Sequence, residues 1–193
     1  MKKFEDGMDD EAKVSGLGGL ILDLQPRFLQ SIEKQEQLVD SAKTFAAAMG
    51  FLDIPLCITE QAPEKMGQTE EGLLEVCRKA ERFSKNTFSA FGCEEFENWL
   101  AENETTHLLL AGIETPICVY LTAVDAIRKK MEVTVLTDCV GGRRGKDGEW
   151  ALRKLERIGC HLLPLESLLY AMLGSTLHEE FRSISGLVRD RIP

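Results

Sequence analysis

The sequence predicts an α/β fold: a parallel sheet covered by helices on both faces, in a three-layer α/β/α sandwich. Three observations carry this. Short apolar runs alternate along the chain with longer stretches whose apolar residues recur at helical spacing. Runs such as Gly18-Gly19-Leu20-Ile21-Leu22 and His107-Leu108-Leu109-Leu110-Ala111 lack the polar alternation of a one-sided strand, as strands buried on both faces do. Glycine, proline or a polar cluster separates most elements. Right-handed crossovers then give six parallel strands, and the expected order is 3-2-1-4-5-6.

Strand one spans 18–25 and ends in Asp23-Leu24-Gln25, with Gln25-Pro26-Arg27-Phe28-Leu29 as the loop after it. An aspartate there is either a turn former, the commoner case, or a site residue. From Ser31 onward, Leu38, Ala42, Phe45, Ala46 and Met49 mark one helical face, which Gly50 is expected to close. Strand two is Ile54-Pro55-Leu56-Cys57-Ile58-Thr59, with the proline at its start. A loop with Pro63 and Gly67 follows, and Thr69 is placed to cap a short helix reaching Ala80. Glu81-Arg82-Phe83-Ser84-Lys85 is strand three, with Lys85 at its exit. A loop carrying Phe88 and Phe91 leads to a helix with Phe96, Trp99 and Leu100 on one face. Strand four breaks at Gly112, and Thr115-Pro116 starts a helix, with proline where a missing N–H costs nothing. Strand five, Val133–Thr137, ends at Asp138, and Val140-Gly141-Gly142-Arg143-Arg144-Gly145 reads as a flexible basic loop. A helix from 147 to 158, strand six at 160–164 and two closing helices at 165–173 and 178–188 complete the chain.

The 193 residues are 44% hydrophobic and 28% charged, enough for one large core and short of two typical domains. Residues 1–16 are polar with mixed charge and read as a flexible tail, leaving 17–193 as a single domain. The net charge of -9 argues against general binding to nucleic acid or anionic membrane. No apolar run reaches the roughly 18 residues of a spanning helix, and the first residues show no signal-type apolar core, so the expected location is cytoplasmic. The six cysteines are scattered with no Cys-x-x-Cys pair, which speaks against a disulfide framework. The three histidines are scattered too, so there is no zinc signature, no metal or cofactor is expected, and a cysteine–histidine or serine–histidine arrangement is weakened.

In the expected strand order, strands one and four are neighbours at the switch point, where ligands bind outside the carboxyl ends. Asp23 then meets Cys118, which lies in the first turn after strand four, and Lys85 can reach across from strand three. Free N–H groups at that helix start favour a thiolate and an incoming oxyanion. Cys118 can act as nucleophile, Asp23 as proton carrier, and Lys85 as the cation that holds Asp23. The rival reading is a small buried cysteine beside an ordinary ion pair.

Three segments then resemble the isochorismatase-like cysteine hydrolases, the superfamily that includes nicotinamidases and N-carbamoylsarcosine amidases. They are Leu22-Asp23-Leu24-Gln25-Pro26-Arg27-Phe28, Lys85-Asn86-Thr87-Phe88-Ser89-Ala90-Phe91 and Gly112-Ile113-Glu114-Thr115-Pro116-Ile117-Cys118-Val119, in the family's order. With Thr122-Ala123 and Thr137-Asp138 the likeness covers about residues 17 to 175. The resemblance implies a catalytic triad of Asp23, Lys85 and Cys118 and a thioester intermediate. It also implies a cis Ile113–Glu114 peptide and an oxyanion hole from the N–H groups of Glu114 and Cys118. Nicotinamidases carry an Asp-x-His metal motif between the first two triad members; no histidine lies between Asp23 and Lys85. A metal site of that type, and nicotinamide as substrate, are therefore not expected. Cys118 departs from true isochorismatases, which lack the cysteine. Thr59-Glu60-Gln61 and Leu165-Glu166-Ser167-Leu168-Leu169-Tyr170 look most like the isochorismatase-domain-containing branch. Phe28 and Phe88 are then expected to line the substrate pocket, with Gln61 and Ile117 at its border.

The functional expectation is a metal-independent amidohydrolase acting on a small amide or ureide-like molecule. Two alternatives stay open: a catalytically silent scaffold of the same fold, and a redox-reactive thiol protein. A homo-oligomer, dimer or tetramer, is expected. Trp99 and Trp150 on predicted surface helices suggest it, as does the apolar face of Leu177, Phe181, Ile184, Leu187 and Val188, which packs on its own sheet or on a second chain.

Overall fold

The structure, a computed structural model, describes residues 15–192; nearly all of the tail expected at 1–16 lies outside them. The described elements are β1 (Leu17–Leu22), α1 (Pro26–Leu29), α2 (Gln35–Phe51), β2 (Leu56–Gln61), α3 (Pro63–Met66), α4 (Glu71–Val76), β3 (Glu81–Lys85), α5 (Glu94–Glu102), β4 (His107–Ile113), α6 (Tyr120–Arg128), β5 (Glu132–Gly141), α7 (Gly145–Arg157), β6 (His161–Leu163), α8 (Leu165–Leu173) and α9 (Phe181–Asp190). The strands form one six-stranded sheet in the expected order, β3-β2-β1-β4-β5-β6. Every neighbouring pair is parallel.

Alternation along the strands divides the core in two. Leu17, Ile21, Ile58, Leu109, Ala111 and Leu136 face α2, α8 and α9. Leu20, Leu22, Leu108, Leu110, Val133 and Val135 face α5, α6 and α7. The parallel strands all deliver their carboxyl ends to one edge, and the crevice between β1 and β4 opens there. At Gly112 the backbone takes φ 111°, and a Cβ would run into the backbone of Leu22 on β1. Glycine is required at that close approach.

Several local readings are corrected. Gly50 does not close α2; the helix starts at Gln35 and runs through it to Phe51, and the left-handed turn falls on Asp53 at φ 51°. Glu70, not Thr69, caps α4, its carboxylate accepting from the N–H groups of Gly72 and Leu73. Thr69 is engaged instead by the buried Glu60. Glu114, not Thr115, precedes the turn after β4, and Thr115–Val119 forms a π-helical turn before α6. The stretch read as a flexible basic loop is partly strand: β5 passes a register shift and pairs Val140 and Gly141 with Gly112 and Ile113. Trp99 is buried in the core, only 3% exposed, and stacks on Phe96, whereas Trp150 is 64% exposed.

The last helix packs on its own chain. Ile184 is fully buried and Phe181, Leu187 and Val188 pack against the core face made by α2 and α8. Arg191 secures this end: its Nη2 donates to Ser41 Oγ and Asp138 Oδ2, both at 2.8 Å. Asp138 Oδ1 in turn accepts the N–H of Leu165 at 2.8 Å. Leu177 lies outside the helix and is exposed. Among the described residues no helix is long and apolar enough to cross a membrane.

Candidate active site

β1 stops at Leu22 because Asp23 turns into the left-handed region, φ 54°, a conformation aspartate tolerates better than most residues. The turn sends the carboxyl into the crevice, where it is 1% exposed. Oδ1 accepts the Thr59 hydroxyl at 2.9 Å, and Oδ2 accepts Lys85 Nζ at 2.7 Å. Lys85 ends β3, opposite Gln61 at the end of β2, and its side chain is wholly buried. Its ammonium also donates to Gln61 Oε1 at 2.8 Å, with longer contacts to the carbonyls of Thr87 at 3.3 Å and Phe88 at 3.4 Å. Cys118, in the π-helical turn, comes from the other side and lines the same cavity as Asp23, near enough for thiol and carboxyl to shift each other's pKa. Strand order alone has brought three residues far apart in sequence into one line, with the carboxyl in the middle.

Burial raises the Asp23 pKa above its usual value, against the charge and hydrogen bond of Lys85 and the bonds from Cys118 and Thr59. The Cys118 thiol is pushed up to about 12, first by burial, then by the charge of Asp23; Lys85 and a backbone hydrogen bond from Glu114 pull the other way. This corrects the expectation that the helix start favours the thiolate. Desolvation and the adjacent carboxyl outweigh it, so Cys118 rests as a thiol. Iodoacetamide labelling of Cys118, read by intact mass with Cys118→Ala as blank, is therefore expected to climb steadily with pH, with no plateau below about pH 10. A plateau near neutrality would show a depressed thiol pKa and refute this electrostatic picture.

A cavity of about 140 Å³ lies over the thiol. Its walls include Phe28, Gln61, Phe88 and Ile117, together with Asp23, Glu114 and Cys118. Lys85 stands behind Asp23 and does not reach the wall. The Ile113–Glu114 peptide is cis, as the resemblance implies. Larger hollows, of about 400 Å³ beside α2 and about 720 Å³ near the start of β2, hold none of these groups. Among the described residues no group of three or more His, Cys, Asp or Glu is placed to hold a metal ion.

Two lining residues were missed by sequence reasoning, Ile113 and Arg143. Arg143 Nε pairs with Glu114 Oε1 at 2.9 Å, and its backbone N–H donates to Glu114 Oε2 at 3.1 Å. The carboxylate is largely covered and the guanidinium largely exposed, so the cation is what the mouth presents to solvent. The available signal was an arginine pair just past the strand next to β4, in an acidic chain.

Fold and crevice together define an α/β protein whose candidate site lies at the switch point of a parallel sheet. A sequence profile of the isochorismatase domain matches residues 19–167, and the chain belongs to that family. It is 30% identical to isochorismatase domain-containing protein 2A of Mus musculus over 173 residues, 90% of this chain and 82% of that protein. Among solved structures it is similar to a MAR1 ribonuclease from Caenorhabditis elegans, with TM-score 0.88, 26% identity and 93% of each chain covered. It also shares its fold with the YcaC product of Escherichia coli, described as an octameric hydrolase of unknown specificity, with TM-score 0.87, 18% identity, and 96% of this chain and 91% of that one covered.

Proposed function

We propose that this protein is a cysteine hydrolase that cleaves the C–N bond of a small amide or ureide-like substrate without a metal ion. Family membership supports a hydrolase-type function. The observation that carries the finer reading is the Asp23 carboxyl held between the Lys85 ammonium and the Cys118 thiol at the floor of a closed-in pocket. As the sulfur attacks the substrate carbonyl carbon, its proton passes to Asp23. The oxyanion that forms is met by the N–H groups of Glu114 and Cys118. Asp23 then hands the proton to the departing nitrogen, the C–N bond breaks, and ammonia or an amine leaves a thioester on Cys118. Asp23, again a carboxylate, takes a proton from water as the water attacks the thioester. Collapse releases the acid and returns the proton to sulfur. The apolar walls of Phe28, Phe88, Ile113 and Ile117 exclude bulk water, and Arg143 offers a donor to a second acceptor on the substrate.

A cavity of about 140 Å³ fits a compact molecule rather than a polynucleotide. The net charge of -9 and the single cation that the described residues place on the pocket wall also speak against an RNA substrate. A panel of small amides, ureas and carbamoyl compounds, read by ammonia release with Cys118→Ala as blank, tests the reaction class. At least one is expected to turn over, and dialysis against a strong chelator is expected to leave the rate unchanged. Failure of the whole panel would sink the class. Loss of activity restored by zinc or manganese would sink metal independence.

The functional unit we propose is a homo-oligomer. The octameric fold relative supports this, as do the exposed side chains of Trp150 and of Phe88 at the pocket mouth. Sedimentation equilibrium is expected to give a multiple of the 21.6 kDa chain mass, and a clean monomer would refute it.

A further inference from the structure

Gln25 has no place in the mechanism above, yet it is a wholly buried polar side chain with every end occupied. Its Oε1 accepts the N–H of Gln61 at 2.8 Å, while its Nε2 donates to the carbonyl of Gln61 at 3.1 Å and to that of Gly67. The reason for this clamp lies in the sheet. β1 and β2 pair as far as Leu22 and Thr59, and the N–H of Asp23 still donates to the carbonyl of Thr59. There β1 must leave the sheet to aim Asp23 into the crevice, while β2 continues to Gln61. The N–H and C=O of Gln61 on that side lose their strand partner, a costly loss for buried backbone. The primary amide of Gln25, two residues past the turn, supplies one acceptor and one donor in its place.

The side chain of Gln61 then continues the line. Its Oε1 takes one of the two short hydrogen bonds of the Lys85 ammonium, and Asp23 Oδ2 takes the other. A lysine ammonium carries donors only, so this bond also fixes which way the Gln61 amide faces. On its other side Ala62 donates its N–H to the carbonyl of Lys85 at 2.9 Å, which ties the same segment to β3.

We infer that Gln25 is a positioning residue: by replacing the missing stretch of β1 it holds Gln61 against Lys85 and so fixes the ammonium that orients the Asp23 carboxyl. The inference rests on the hydrolase reading. It predicts that the three residues Gln25, Gln61 and Lys85 act on the rate as one unit.

The test is a double-mutant cycle with Gln25→Met, which keeps length and apolar volume and removes the amide, and Gln61→Met. kcat and KM are measured on the best compound of the amide panel, with thermal melting recorded in parallel. Gln25→Met is expected to lower kcat about tenfold or more, with KM moving by less than about threefold. The double variant is expected to lose no more than the worse single, because both changes release the same ammonium. Unchanged kcat in folded Gln25→Met, whatever its melting temperature, overturns the inference and leaves the hydrolase reading intact. So do losses that multiply in the double variant. Should Gln25→Met fail to fold, Gln25→Glu keeps the acceptor for the Gln61 N–H and lacks the donors. It is read against the same expectations. A wild type with no turnover on any compound overturns the hydrolase reading itself and this inference with it.

Discussion

Replacing Cys118 with alanine is expected to cut turnover by about four orders of magnitude or more, to the level of the uncatalysed reaction. The sulfur is the atom that bonds to the acyl carbon in the proposed reaction, and no neighbouring group can take its place. The other five cysteines, Cys57, Cys77, Cys93, Cys139 and Cys160, are buried, and none of them lines the pocket. Serine is expected to do no better. Its hydroxyl is a much weaker acid than a thiol, and a carboxylate is too weak a base to activate it. The fold is expected to survive, because alanine removes one small buried atom at a cost of about 1 kcal/mol. Steady-state ammonia release checks the rate, and acid-quenched intact mass checks the chemistry. Wild type is expected to show the added mass of an acyl group, and Cys118→Ala to show none. Turnover near the wild-type rate in the alanine variant would remove Cys118 as nucleophile, and the thioester with it.

What was legible in the sequence follows from which physics is local. The strand run Glu81–Lys85 is recognisable by itself, because its neighbours on both sides break the pattern. The meeting of Asp23, Lys85 and Cys118 was legible only through strand order, which alternation and crossover handedness restrict to a few choices. Arg143 was not. Its place on the pocket wall depends on β5 running past Asp138 through a register shift opposite Leu110 and Gly112, and register belongs to two strands at once. Trp99 shares one helical face with Phe96 and Leu100 yet also reads as a surface hint of oligomers; that shared face is the one α5 turns inward onto the sheet. The direction of the Cys118 shift was hidden for another reason. The helix start is visible in sequence, but the burial and the facing carboxylate that overrule it are tertiary. Gln25 is the subtlest case, since its task is created by a strand that ends early.

Lys85→Met is expected to show the second large effect, on stability and on rate together. The ion pair between Lys85 and Asp23 is buried at both ends. Methionine matches the lysine stem in volume, so packing is largely kept, but the carboxylate loses its cation. Breaking a buried pair on one side costs about 3–5 kcal/mol, because the remaining charge stays desolvated. Asp23 escapes part of that cost by taking up a proton. Burial already holds its pKa above the usual value despite Lys85, and without the ammonium it rises further. The folded variant then binds a proton that the unfolded chain has released, so its stability falls as pH rises above the unfolded aspartate value and through the raised folded one. The gap in melting temperature from wild type is therefore expected to be widest at neutral pH and to narrow on acidification. Adding Asp23→Asn should recover much of the stability, since no buried charge is left unpaired. Neither variant should recover the rate, because a protonated or amidated residue 23 cannot take the thiol proton. Melting curves across the acid-to-neutral range, alongside ammonia release, decide the matter. A Lys85→Met gap that does not change with pH, or a single variant as stable as wild type, would mean that Asp23 is not held as a charged partner of Lys85. The carboxylate would then be unavailable as the base the mechanism requires.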